Sequence, residues 1–170
     1  MLAKRFGRLL TLLFLLGLCC LASAHPMGIF SVNHYSTIDV QGDRIVVRYF
    51  IDLAEIPTYQ ELQQGNIATT PMDPSSPTVI RYVAARGAEL GQGLLLDMDG
   101  KQIPLRLVSS GVIFPPGAGG LPTMKMGFVF EAAGSGSASS ANRELNIRFA
   151  DNNYPGQTGW KEIVASSTSD

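Results

Sequence analysis

Cysteine is nearly absent from this chain. The only two, Cys19 and Cys20, sit side by side within an apolar leader. With the leader removed none remains, which excludes disulfides, thiolate metal sites and cysteine nucleophiles. A lipidation signal is excluded as well, because Leu18 rather than a small residue precedes Cys19. Histidine is almost as scarce, with His25 and His34 the only two. Basic charge is also short: of 13 Lys and Arg, Lys4, Arg5 and Arg8 belong to the leader, so ten remain against 14 acidic residues. A nucleic-acid binder needs a basic face, and none is present. Mild acidity suits cations, but it equally describes an ordinary solvated surface. Beyond residue 24 no apolar run approaches the about 20 residues needed to span a bilayer, so the given residues form no helical pore.

The first 24 residues are themselves a signal. A basic start (Lys4, Arg5, Arg8), an apolar stretch from Leu9 to Leu21 and the small-residue site Ala22-Ser23-Ala24 form a secretory signal peptide. An uncleaved anchor is the alternative. Cleavage after Ala24 makes His25 the new N-terminus, with an α-amine and an imidazole on one residue. The expected organisation is a signal peptide over 1–24, one extracytoplasmic β-rich domain over 25–165, and a polar tail or linker over 166–170. A domain of this size buries enough surface to fold without staples.

Patterning favours strands. Phe30 to Val40 alternates, with Phe30, Val32, His34, Ser36, Ile38 and Val40 on one face. Gln41-Gly42-Asp43 is a turn signal, and Arg44 to Asp52 alternates again, so the two read as a β-hairpin. Pro57 suits the first turn of a short helix that ends at Gly65-Asn66. Thr69 to Pro77 is a proline-rich loop, and Thr78 to Leu90 has helical spacing. Leu94–Met98 and Ile103–Val108 read as a second hairpin around Asp99-Gly100. Gly111 to Gly120 reads as a loop, followed by strands at Met124–Glu131, Glu144–Ala150 and Trp160–Val164, with a small-residue linker from Gly134 to Ala141. The expected fold is α+β, mainly β: an antiparallel β-sandwich-like sheet with one or two short inserted helices.

Metal ligation is the chemistry the scarce histidines suggest. Imidazole suits nickel, copper and zinc, and nickel or copper also accepts a terminal amine. Pro26 has no N–H, so the square-planar peptide-nitrogen chelate is excluded and His25 offers amine and imidazole alone. His34 is a second candidate ligand, but nine extended residues span up to about 30 Å, and its place on an apolar face suits a core histidine better. A turn near Gly42 pairs residues whose numbers sum to about 84 or 85. That places Asp52 and Glu55 beside Ile29 to Val32, where either carboxylate can meet His25; the plainer role is to shape the strand-to-helix junction. Met27, Met124 and Met126 carry copper(I)-favouring thioethers, though Met124 and Met126 share a strand face as core residues do. Asp151-Asn152-Asn153 lacks the loop pattern of a calcium site and reads as a turn. For an enzyme the pattern is thin. No nucleophile elbow or P-loop occurs, and Gly87, Gly91 and Gly93 lack the context of a dinucleotide site.

Three segments together carry a resemblance. The mature start His25-Pro26-Met27-Gly28-Ile29-Phe30-Ser31-Val32-Asn33-His34-Tyr35, the block Tyr49 to Gln60 (above all Asp52-Leu53-Ala54-Glu55-Ile56-Pro57-Thr58), and Tyr154-Pro155-Gly156-Gln157-Thr158-Gly159-Trp160-Lys161-Glu162-Ile163-Val164 resemble, in this order, the extracytoplasmic N-terminal domain of nickel/cobalt transporters of the efflux type. Ile29 departs from the family's polar Asn at that position, and residues 68–143 match loosely. The resemblance implies a domain outside the cytoplasmic membrane beside a membrane-embedded transporter region or subunit. The expectation is a non-enzymatic, periplasmic domain associated with Ni2+ or Co2+ transport, with His25, Asp52, Glu55 and His34 as candidate metal residues. Its alternatives are a metal-free scaffold of a membrane transporter and a stand-alone copper-binding protein.

Overall fold

The computed structural model describes residues 27–41, 43–68, 72–134 and 145–168. The fold is α+β and mainly β, as the patterning indicated. After a 3-10 turn at Met27–Phe30, strands β1 (Val32–Gln41) and β2 (Arg44–Leu53) form the expected hairpin. Its register runs from Val32 opposite Leu53 to Gln41 opposite Arg44, so every pair sums to 85. Alternation decides this register, because a one-residue slip would turn Val32, His34, Ser36 and Ile38 out of the core.

Helix α1 (Glu55–Gln64) follows directly, ends on Gly65, and is followed by Asn66 at φ 49°. Helix α2 (Pro77–Gly93) begins with Ser76, whose hydroxyl accepts from the Val79 N–H at 3.3 Å, and with Pro77 in its first turn. Its inward residues Val79, Val83, Gly87 and Leu90 keep helical spacing. Strands β3 (Leu94–Met98), β4 (Lys101–Ile103), β5 (Arg106–Ile113), β6 (Met124–Ala133), β7 (Ile147–Asp151) and β8 (Lys161–Thr168) complete the chain. One sheet has the order β5-β6-β2-β1-β8 and a smaller one β4-β3-β7.

The core lies between the large sheet and α2. Tyr49, Phe128, Phe130, Ile51, Met124 and Met126 are all fully buried there, and each large apolar side chain contributes about 1.5–3 kcal/mol. The two methionines are therefore core residues. Two helix glycines set the spacing: a Cβ on Gly87 would stand 2.6 Å from Phe128, and one on Gly91 would stand 2.7 Å from Phe130. The spaced glycines from 87 to 93 thus belong to helix-on-sheet packing. No helix among the described residues is long and apolar enough to cross a membrane.

Five expectations need correction. The large sheet is mixed, because β8 runs parallel to β1 instead of antiparallel to a neighbour. The expected strand Ile103–Val108 is broken at Pro104, which has no N–H to donate; Ile103 closes the β3–β4 hairpin, and Arg106 opens β5 in the other sheet. Gly111 to Ile113 continue β5, so the loop begins later than expected. Phe30 lies in the 3-10 turn and is half exposed, outside the strand pattern. The strand also runs through Ser166 to Thr168, where a polar tail was expected. The expected 134–141 linker lies mostly outside the described residues.

Candidate functional site

The hairpin register brings two of the four candidate residues together. Asp52 is opposite Asn33, and Glu55 opens α1 two residues after β2 ends. Both line a cleft of about 440 Å³ with Ile29, Ser31, Ala118 and Lys125. The Asp52 carboxylate accepts from Lys125 Nζ at 2.8 Å, and both side chains are more than two-fifths exposed. Glu55 is buried, and its Oε1 accepts the Ala118 N–H at 2.6 Å. Its place in the first turn of α1 also sets a negative charge against the positive helix end. A Cβ on Gly117 would fall 2.5 Å from Glu55 Oε1, so the loop approaches the carboxylate as only glycine permits.

His34 is elsewhere. It points to the inner face and is 2% exposed, whereas Asp52 points to the outer face. The two therefore cannot ligate one ion. His25 lies outside the described residues. Among the described residues no group of three or more His, Cys, Asp or Glu side chains converges.

A buried polar knot surrounds His34 instead. Nδ1 of His34 donates to Asp151 Oδ2 at 2.5 Å. A carboxylate only accepts, so this partner assigns the proton to Nδ1. Tyr49 lies 2.9 Å from the same nitrogen and donates to Asp151 Oδ2 at 3.1 Å. Asn153 donates from Nδ2 to the Tyr49 hydroxyl at 3.2 Å and to the Leu90 carbonyl at 3.0 Å. Lys161 Nζ closes the assembly on the carbonyls of Asp151 and Asn153, at 2.9 and 2.6 Å. One carboxylate thus joins β1, β2 and β7, and the lysine that opens β8 ties it to the same turn.

Next to it, Glu61 of α1 accepts from Tyr82 and Arg86 of α2, each at 2.6 Å. Tyr154 donates to Glu61 at 3.3 Å and stands edge-on to the His34 ring, with centroids 5.6 Å apart. A polar cleft of about 460 Å³ lies over Glu61, Arg86 and Asn153.

The electrostatics are those of a structural centre. Burial raises the Asp151 carboxyl, but the His34 hydrogen bond, the Asn153 N–H, the His34 ring and the Lys161 ammonium together hold it below its ordinary value. Burial and the Asp151 charge push the Tyr49 phenol well up. Burial and the Glu61 charge push Tyr154 up to about 12. These phenols stay protonated and donate; they are not poised as nucleophiles or bases.

Asp151, Asn153, Glu61, Arg86, Tyr49 and Tyr154 did not stand out as site residues in the sequence. One signal was available: a lone histidine on the core face of a strand needs a buried partner, and Asp151-Asn152-Asn153 ends a strand with that chemistry.

Comparison with family models, with curated proteins and with solved structures gives no match for this chain.

Proposed function

We propose that this chain is an accessory domain of nickel or cobalt transport on the outer side of the cytoplasmic membrane, offering the divalent ion a cleft at the open end of the β1–β2 hairpin. The observation that carries the reading is the cleft itself. Asp52 and Glu55 line it beside Ile29 and Ser31, and His25 lies only four residues before Ile29. In this reading His25 supplies amine and imidazole, and Asp52 supplies the carboxylate.

Asp52 suits the role better than Glu55. Its ion pair with Lys125 is exposed and worth at most about 1 kcal/mol, so a dication displaces the lysine cheaply. Glu55 is buried and holds the loop at Ala118. The nearby lysine charge keeps the affinity modest, as suits an ion that is handed on. The three segments that carry the family resemblance also adjoin in space. The Val32 and His34 N–H groups donate to the carbonyls of Thr158 and Trp160, both at 2.8 Å, and the Ala54 N–H donates to Ser31 at 3.0 Å. Segments far apart in sequence that resemble one family are thus neighbours at one end of the sheet.

Calorimetric titration with nickel, on protein whose first residue is His25, tests this. One-to-one binding that disappears in His25→Ala and weakens at least tenfold in Asp52→Asn supports the reading. Absence of heat at millimolar nickel sinks it. A second reading, a metal-free scaffold for a transporter, is favoured by one observation: both carboxylates already have partners within the domain. That reading predicts no heat.

A further inference from the structure

The outer face of the large sheet divides in two: the end near the hairpin turn carries Arg44, Arg48, Arg106 and Glu131, whereas the other end is apolar where a sheet side turned to water is normally polar. The Phe50 and Tyr35 rings pack at a tilt of 38°, 6.2 Å between centroids. Trp160 at one edge and Ile113 at the other are each more than half exposed. Between these projections lies a recess of about 590 Å³. It exists because Gly111 of β5 faces Gly127 of β6 across the ladder. The Phe50 ring leans over Gly127, 3.2 Å from where a Cβ would be, while nothing stands within 4 Å of a Cβ on Gly111. Glycine inside a strand weakens it and often marks a place where another molecule comes close. Two facing glycines beside exposed aromatic rings make a hole with knobs on either side.

From these features we infer that the outer face is the interface with a second copy of this chain. A two-fold pairing needs a self-complementary patch, and this one carries both projections and a recess. Its charge is self-complementary too. The charged residues lining the recess are Asp52 and Lys125, one of each sign, paired at 2.8 Å. A neutral patch gives no electrostatic attraction to an anionic bilayer or to a strongly charged partner. The whole sheet face, with strands of eight to ten residues, projects roughly 700 Å², so a pairing takes the apolar end as its centre and the charged end as its rim. Specific interfaces bury about 800 Å² per partner. The patch also continues onto β8, a sheet edge whose residues 161–167 are all exposed. Val164 carries the apolar surface along that edge, the kind of strand that proteins normally cover. The glycine pair and the aromatic residues carry the inference; Asp52 and Lys125 border the metal cleft as well, so the test is made without added metal.

Sedimentation velocity of the purified chain from 1 to 200 µM tests it, read together with tryptophan emission. Trp160 is the only tryptophan, so emission reports this patch alone. The expected result is a dimer that forms with rising concentration along with a blue shift of the emission. Gly111→Lys projects into open space and leaves the monomer folded; it should weaken dimerisation at least tenfold and abolish the shift. A monomer with constant emission throughout the range overturns the inference. A dimer whose emission does not move, or one that Gly111→Lys leaves intact, also overturns it by placing the contact elsewhere. A monomer whose emission shifts only on neutral phosphatidylcholine vesicles would assign the face to lipid and overturn it equally. Loss of nickel binding does not bear on any of these readouts.

Discussion

Two pairs of carboxylates lie at opposite extremes in this domain. Asp151 and Glu61 are buried in the knot, where each accepts several hydrogen bonds and each has a cation or imidazole against it. Asp52 and Glu55 line the cleft, where one meets an exposed lysine and the other a single backbone N–H. Sequence treats the four alike. Their surroundings do not, because removing a partner from a buried charge strands it, whereas an exposed ion pair is replaced by water. The buried carboxylates therefore hold the fold together, Glu55 more weakly than the inner pair, and Asp52 alone is both exposed and lightly paired.

The comparison breaks most readily at Asp151. Asp151→Ala leaves His34 and Tyr49 without their shared acceptor and should cost about 3–5 kcal/mol; a loss below about 1 kcal/mol in urea unfolding would show that the knot is ornamental. The same carboxylate gives the pH dependence its sign. Its folded value lies below the ordinary 3.8, so its stabilisation is complete above that value and fades as pH falls through the lower one. Urea midpoints measured between pH 5 and 2 should fall less steeply in Asp151→Asn than in the parent.

Glu61→Gln comes next. It takes the formal charge from beside Arg86, whose side chain is 17% exposed, although Glu89 still pairs with that guanidinium at 2.7 Å. A loss of about 2–3 kcal/mol is expected, checked by chemical denaturation; a neutral result would mean that Glu89 alone suffices. Glu55→Ala should cost less, about 1–2 kcal/mol for one charge-assisted hydrogen bond. Proteolysis should then find the 114–122 loop easier to cut, and unchanged digestion would count against its tether. Asp52→Asn should have the smallest effect on stability, below about 0.5 kcal/mol, while weakening nickel binding at least tenfold. A stability loss as large as that of Glu55→Ala would erase the contrast between an available carboxylate and a structural one.

Much of the fold was legible, and for local reasons. The β1–β2 register followed from alternation and a turn at residues 41–43; the first helix followed from Pro57 and Gly65-Asn66, and the second from its periodic spacing alone. The neighbourhood of Asp52 and Glu55 followed in turn from that register. What escaped reading was non-local. His34 meets Asp151 across 117 residues of sequence, and no periodicity links them. Trp160 to Val164 read as a strand, but nothing local told that it would lie parallel to β1. Gly87 and Gly91 of α2 carried no reading beyond the missing dinucleotide context until Phe128 and Phe130 were placed beneath them.

The sequence by itself determined both helices, most of the strands and the inward faces of β1 and β2, because these depend on neighbours two to four residues apart, and it confines cysteine to Cys19 and Cys20. Only the tertiary structure decided that His34 belongs to a buried knot and Asp52 to an open cleft. It alone set Gly111 against Gly127 beneath an uncovered aromatic face. Burial and pairing arise between distant segments, and a carboxylate or a glycine takes its role from whatever the fold brings against it.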